Sequence, residues 1–188
     1  GASSPSQSVT LSGTLDAGDT YIIAHGSADP AILAIADLVS NTVINFNGDD
    51  AVALMHVAGE PYVDVIGQIG YRPPSGYWGV PPNTTQDHTL VRKSSILKGD
   101  PIGSDVFDPS IEWDSYPVND FAHLGSHIMG DNGFIISEYV EGSSYNKAIE
   151  LYNGTLTSID LSNYKLALYS NGASSPSQSV TLSGTLDA

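Results

Sequence analysis

Tyr164-Lys165-Leu166-Ala167-Leu168-Tyr169 runs through Ser170-Asn171 into Gly172 to Ala188, which reads GASSPSQSVTLSGTLDA. The first six residues alternate. Tyr164, Leu166 and Leu168 fall on one face of an extended chain, and Lys165, Ala167 and Tyr169 on the other. Ser179-Val180-Thr181-Leu182-Ser183, just downstream, has the composition of a second strand. Residues 172–188 are also the first 17 residues of the chain, repeated without a change at an offset of 171 positions. Ser8-Val9-Thr10-Leu11-Ser12 is therefore the same strand met twice, and two copies of one strand compete for one place in a sheet. Chance does not produce such a repeat, and an old duplication drifts. The chain reads either as a window on a tandem array or as an engineered permutant that carries one segment twice.

Outward from that segment, short apolar runs are separated by Gly, Asn, Asp, Ser and Pro, the pattern of an all-β sandwich. The expected strands are Ser8–Ser12, Thr20–Ala24, Thr42–Phe46, Ala51–Val57, Tyr62–Ile69, Thr89–Lys93, Phe134–Val140, Ala148–Tyr152 and Tyr164–Tyr169. Asn47-Gly48-Asp49-Asp50 lies between two of these runs and reads as a hairpin turn, since Asn and Gly both tolerate positive φ. Asp29–Leu38 has apolar residues at helical spacing, with Asp29 at the capping position and Pro30 in the first turn, which predicts one short helix. Tyr71 to Asp87 is rich in Pro, Gly and Thr and reads as a long loop. Its aromatics Tyr71, Tyr77 and Trp78 are candidates for contact with a ligand such as a carbohydrate, against the alternative of packing on the sandwich edge.

The 21 acidic residues outweigh 6 basic ones, for a formal charge of −15. Such a surface repels nucleic-acid phosphates and anionic membranes, and it suits divalent cations. There is no cysteine, so thiolate chemistry and a disulfide framework are excluded. No apolar run approaches the roughly 18 to 20 residues that span a bilayer, which argues against direct membrane insertion.

Nothing in the sequence assembles a catalytic set. No GxSxG elbow, HExxH motif or phosphate-binding glycine loop is present, and the reading is not an enzyme. His123 and His127 are four apart, but Leu124-Gly125-Ser126 between them does not read as helix. Calcium is the cofactor that the composition suits, through hard oxygen ligands in loops: Asp49 and Asp50, Asp105 and Asp108, and Asp131 with Asn132. No twelve-residue EF-hand loop is formed, and a turn is the competing reading of 47–50. Arg92 and Lys93 are expected on opposite faces of one strand, and Trp113 as a core anchor. Glu138, Lys147 and Glu150 are placed to pair across neighbouring strands.

Phe134 to Asn153, FIISEYVEGSSYNKAIELYN, resembles the opening of bacterial lamin tail domains. Read circularly through the duplicated segment, further signatures follow. These are Phe46-Asn47-Gly48-Asp49-Asp50-Ala51-Val52-Ala53-Leu54, Asp64-Val65-Ile66-Gly67-Gln68-Ile69-Gly70, Leu90-Val91-Arg92-Lys93, and Phe107-Asp108-Pro109-Ser110-Ile111-Glu112-Trp113 with His123 to His127 behind it. The order is permuted. Residues 1–127 correspond to the C-terminal major part of such a domain, 128–133 to a junction or designed join, and 134–188 to its N-terminal part. The resemblance implies an immunoglobulin-like β-sandwich and a non-catalytic accessory module. The expected role is a structural or adhesive repeat of an extracellular fibre or cell-surface protein, whose partners are copies of itself, joined by tandem repetition or strand exchange. An engineered permutant and a ligand-binding accessory module of a secreted enzyme are the alternatives.

Overall fold

Alternation gives each strand two faces, and in this protein apolar residues occupy both faces of most strands, so both sheets are covered on each side. The architecture comes from a computed structural model that describes residues 6–131 and 133–174. In chain order the elements are β1 (Gln7–Thr10), β2 (Thr14–Leu15), β3 (Thr20–Ala24), α1 (Pro30–Leu33), β4 (Leu38–Val39), β5 (Ala51–His56), β6 (Gly59–Ile66), β7 (Gly79–Val80), β8 (Asn83–Thr84), β9 (His88–Arg92), α2 (Pro109–Glu112), β10 (Trp113–Tyr116), β11 (Phe134–Glu141), β12 (Lys147–Asn153), β13 (Ile159–Asp160) and β14 (Tyr164–Tyr169). The four-stranded sheet has the order β1-β14-β5-β6, and the six-stranded sheet β10-β9-β11-β12-β3-β4. Two small pairs, β13-β2 and β7-β8, lie outside them. The fold is an all-β sandwich.

The central core lies between the two sheets. Val9, Val52, Leu54, Ile66, Leu166 and Leu168 come from the four-stranded sheet, and Tyr21, Ile23, Leu90, Trp113, Ile136, Tyr139, Ile149 and Leu151 from the six-stranded one. Full burial of each aliphatic side chain contributes about 1.5–3 kcal/mol. The outer face of the four-stranded sheet is covered by Ile69, Trp78 and Phe107, packed on Ala53, Val65, Ala167 and Tyr169. The outer face of the six-stranded sheet is covered by Ile32 of α1 and by Leu124 and Phe121 of a strap that follows β10.

Residues 134–171 and 6–127 interleave rather than form separate bodies. β11 and β12 are interior strands of the larger sheet, and β14 is an interior strand of the smaller. Several expectations are corrected here. Thr42–Phe46 is not a strand; Val43, Ile44 and Phe46 are buried from an irregular segment. Asn47–Asp50 is a turn, closed by Asp50 N–H donating to the Asn47 carbonyl at 3.0 Å, but it does not join two strands. The helix is shorter than Asp29–Leu38. Asp29 caps it through Ala31 N–H, and the chain then crosses to the edge of β3, where Asp37 N–H donates to the Ile22 carbonyl at 2.9 Å and β4 pairs in parallel.

Candidate functional site

The duplicated segment takes its place at the edge of β14. Gln7, Ser8, Val9 and Thr10 lie opposite Leu168, Ala167, Leu166 and Lys165 in antiparallel register. At one end Ser6 N–H donates to the Leu168 carbonyl at 2.7 Å, and Ser170 N–H donates to Ser6 Oγ at 3.0 Å. Beyond the strand Leu11 N–H donates to the Tyr164 carbonyl at 3.0 Å, and Leu161 N–H to the Gly13 carbonyl at 2.8 Å. Leu15 faces Ile159 in the β2–β13 pair, and Asn153 Nδ2 donates to the Leu15 carbonyl at 2.8 Å. The other end is pinned by Ser158 Oγ, which donates to Asp16 Oδ1 at 2.6 Å. Each of these partners belongs to the stretch 153–170.

The segment is also apolar glue. Val9, Leu11 and Leu15 are buried in the central core, so residues 6–16 complete the sandwich rather than decorate it. Of the assembly residues expected from sequence, Ser8, Val9 and Thr10 lie in β1, with Leu11 and Ser12 just beyond it. Ser179, Val180, Thr181, Leu182 and Ser183 lie outside the described residues.

The acidic loop residues are engaged within the fold. Asp49 forms an ion pair with Arg72. Asp50 accepts from Asn47 N–H at 3.0 Å and from Asn171 N–H at 2.6 Å, and burial pushes its carboxyl up to about 6 despite those bonds. These contacts make 47–50 a structural turn. Asp108 caps α2 by accepting from Ser110 N–H at 2.9 Å. Asp105 and Asp108 do share a cleft of about 330 Å³, with Asp100 and Glu112 on its walls. Burial first, and then the neighbouring carboxylates, raise Asp100 above the ordinary range. Asp131 is exposed, and Asn132 lies outside the described residues. Among the described residues, no group of three or more His, Asp or Glu side chains is placed to hold a metal ion.

The aromatic candidates separate. Trp78 is buried and stands edge-on to Phe107 with ring centroids 6.0 Å apart, so it packs under the loop rather than facing a ligand. Tyr71 is exposed and Tyr77 half-buried. His123 packs on Tyr116 at 4.1 Å between centroids, and His127 stands edge-on to Tyr152 at 5.2 Å.

Sequence reading placed Arg92, Glu138, Lys147 and Glu150 on strands but did not show that all four are buried. Arg92, fully buried, donates to Asp64, to Glu112 and, at 3.1 Å, to the Ile136 carbonyl, with its guanidinium 4.1 Å from the Trp113 ring centroid. Asp64 also accepts from Asp100 N–H and Ile136 N–H, each at 2.8 Å. On the outer face of the same sheet Glu138 lies opposite Glu150 in register. Lys147 pairs instead with Glu141, so the expected pairing of Lys147 with Glu138 or Glu150 is not made. Glu150 accepts from Ser137 Oγ at 2.7 Å and from Gly125 N–H at 2.6 Å. Glu138 Oε1 is buried with no hydrogen-bond partner. Burial, then the nearby Glu150 and Asp120 carboxylates, push Glu138 up to about 9. A bulge at Ser137 creates this arrangement, because Ile136 and Tyr139 both reach the core across it and leave Glu138 on the outer face.

No family model, curated protein or solved structure matches this chain.

Proposed function

We propose that this protein is a non-catalytic structural or adhesive repeat of an extracellular fibre or surface protein, built of lamin-tail-like β-sandwiches and joined by tandem repetition or strand exchange. One observation carries the reading. Residues 6–16 supply an edge strand and three core side chains to the sandwich. The same sequence recurs immediately after β14, the strand on which they dock. A periodic chain gives every domain its closing strand and leads straight into the next. The acidic, cysteine-free composition is compatible with an exposed, extended assembly. The partners are then further copies of the chain.

The adjacency of Ser6 and Ser170, with their hydroxyl oxygens 3.3 Å apart, favours a second reading, a designed circular permutant of one such domain. The denatured, intact mass of the source polypeptide separates them. A mass many times 19.7 kDa, rising by one repeat at a time, supports the array. A mass near 19.7 kDa sinks the array and leaves the permutant.

A further inference from the structure

We propose that residues 119–125 form a hinged strap over the outer face of the six-stranded sheet, and that its lifting is coupled to release of the proton on Glu138, buried beneath it. The device goes beyond the array reading and does not rest on it.

The strap is built to move as a unit. Residues 117–127 contain turns but no strand or helix. Both ends of the strap are left-handed, with a φ of 61° at Asn119 and of 96° at Gly125. Glycine adopts that region without strain, and asparagine is one of the few other residues that visit it routinely. The Asn119 hinge is fixed from outside. Its Oδ1 accepts from Ser143 N–H at 2.9 Å and from Asn146 Nδ2 at 3.1 Å, both in the turn between β11 and β12. Between the hinges the hold on the sheet is light. Thr89 Oγ1 of β9 donates to the Asp120 carbonyl at 2.8 Å, and Gly125 N–H donates to Glu150 of β12 at 2.6 Å. Phe121 and Leu124 add apolar contact with the cluster that contains Val140 and Ala148. A segment with so few anchors opens at a lower free energy than strands in the middle of a sheet.

Glu138 lies where the strap crosses. β9 and β12 flank β11, so a strap anchored at Thr89 and at Glu150 passes over β11. There Glu138 faces outward, opposite Val91 on one side and Glu150 on the other, yet only 1% of it is exposed. Its Oε1 has no hydrogen-bond partner. The charged groups around it are acidic: Glu150 on β12, Asp120 on the strap and, beyond Val91, Asp114 on β10. Asp37 adds negative charge on the far side of Glu150. β9 presents Val91 and no titratable group at this position. His123 packs on Tyr116 and His127 on Tyr152. A neutral carboxyl is tolerated in such surroundings, and a carboxylate is not.

Linkage gives the direction. With the strap down, burial and then the Glu150 and Asp120 carboxylates push Glu138 up to about 9. Lifting the strap returns the side chain to water, where the ordinary value is about 4.3. Between these limits each opening releases a proton, so the open fraction rises with pH, by up to about tenfold per pH unit. Above about 9 both states have lost the proton and the effect levels off. Glu150, raised by burial too, works in the same sense.

The test is amide hydrogen exchange read by NMR on the full chain and on Glu138→Gln, between about pH 6 and pH 8. Taking the ratio of parent to variant at each pH cancels the intrinsic pH dependence of exchange. The Gly125 and Leu124 amides should exchange faster in the parent, by a factor that grows by up to about tenfold per pH unit. At every pH they should also exchange well ahead of the amides of β5 and β14, because the strap opens while the sandwich stays folded. Glu138→Leu removes the same titrating group without adding an amide to satisfy, should match the Gln variant, and replaces it if that variant does not fold. A ratio that stays constant with pH overturns the proposal. So does exchange of Gly125 and Leu124 in step with β5 and β14, because the strap then opens only when the whole sandwich unfolds.

Discussion

The six-stranded sheet buries charge in several places, and two of them are opposites. At Arg92, against the central core, a cation meets Asp64 and Glu112, donates to the Ile136 carbonyl and lies against the Trp113 ring, while Asp64 accepts from two main-chain N–H groups. At Glu138, on the opposite face, two carboxylates stand in register, and one of them has an oxygen without a partner. The first site couples the sheets, since Asp64 belongs to β6 and Arg92 to β9. The second ties Glu150 to Gly125 and Ser137 but brings no cation to Glu138, and burial there favours the protonated carboxyl. A buried charge that is paired and fully hydrogen-bonded costs little to keep and much to break; an unpaired one costs stability whenever it ionises.

The largest expected effect comes from breaking the paired site. Arg92→Ala leaves the Asp64 carboxylate buried without its cation and should cost about 3–5 kcal/mol in a urea unfolding curve. A loss below about 1 kcal/mol would show that water reaches Asp64 and that the network is not closed.

The unpaired site should respond with the opposite sign. Glu138→Leu removes a buried, unpartnered carboxyl at similar volume and should raise stability at pH 8 by about 1–3 kcal/mol. Destabilisation of that size would mean that Glu138 is hydrogen-bonded in solution.

Titration sharpens the contrast. Glu138 holds its proton up to about pH 9 in the folded chain. The unfolded chain releases it near the ordinary value of about 4.3. Across that window the folded state binds the extra proton, so stability falls as pH rises and levels off above about 9. Glu150 is raised by burial too and works in the same sense. His127, lowered by burial, opposes them on the acid side, where the unfolded chain gains a proton that the folded chain resists. Melting temperatures of the parent and of Glu138→Gln from pH 5 to 9 isolate the carboxyl. The parent should decline more steeply with pH, and parallel curves would remove Glu138 from the account.

The smallest effect belongs to a pair with one partner at the surface. The Arg72 side chain is 58% exposed and the Asp49 side chain 3%, so water screens the cation but not the carboxylate it leaves, and Arg72→Ala should cost about 1–2 kcal/mol. A larger loss in the same melt would make the 47–50 turn a keystone rather than a closure.

Sequence by itself determined the all-β class, most of the longer strands and the repeat. The alternation in Tyr164–Tyr169 assigns Leu166 and Leu168 to the central core and Ala167 and Tyr169 to the outer cluster, and the structure places them there. It also marked Trp113 as a core anchor, because a large aromatic among apolar neighbours has little else to do. Identity of residues 1–17 with 172–188 is a fact of the sequence alone. Only tertiary structure decided which partner each strand takes, since pairing depends on residues far apart in the chain. It put β1 on β14, brought Asp64 to Arg92, and withdrew Trp78 beneath its loop. The bulge at Ser137 is the clearest case. Strict alternation from Phe134 and Ile136 would send Glu138 into the central core, and one extra residue in β11 turns it to the other face. Periodicity reads the faces of a regular strand; where a strand breaks its period, the neighbouring strands set the register, and they lie elsewhere in the sequence.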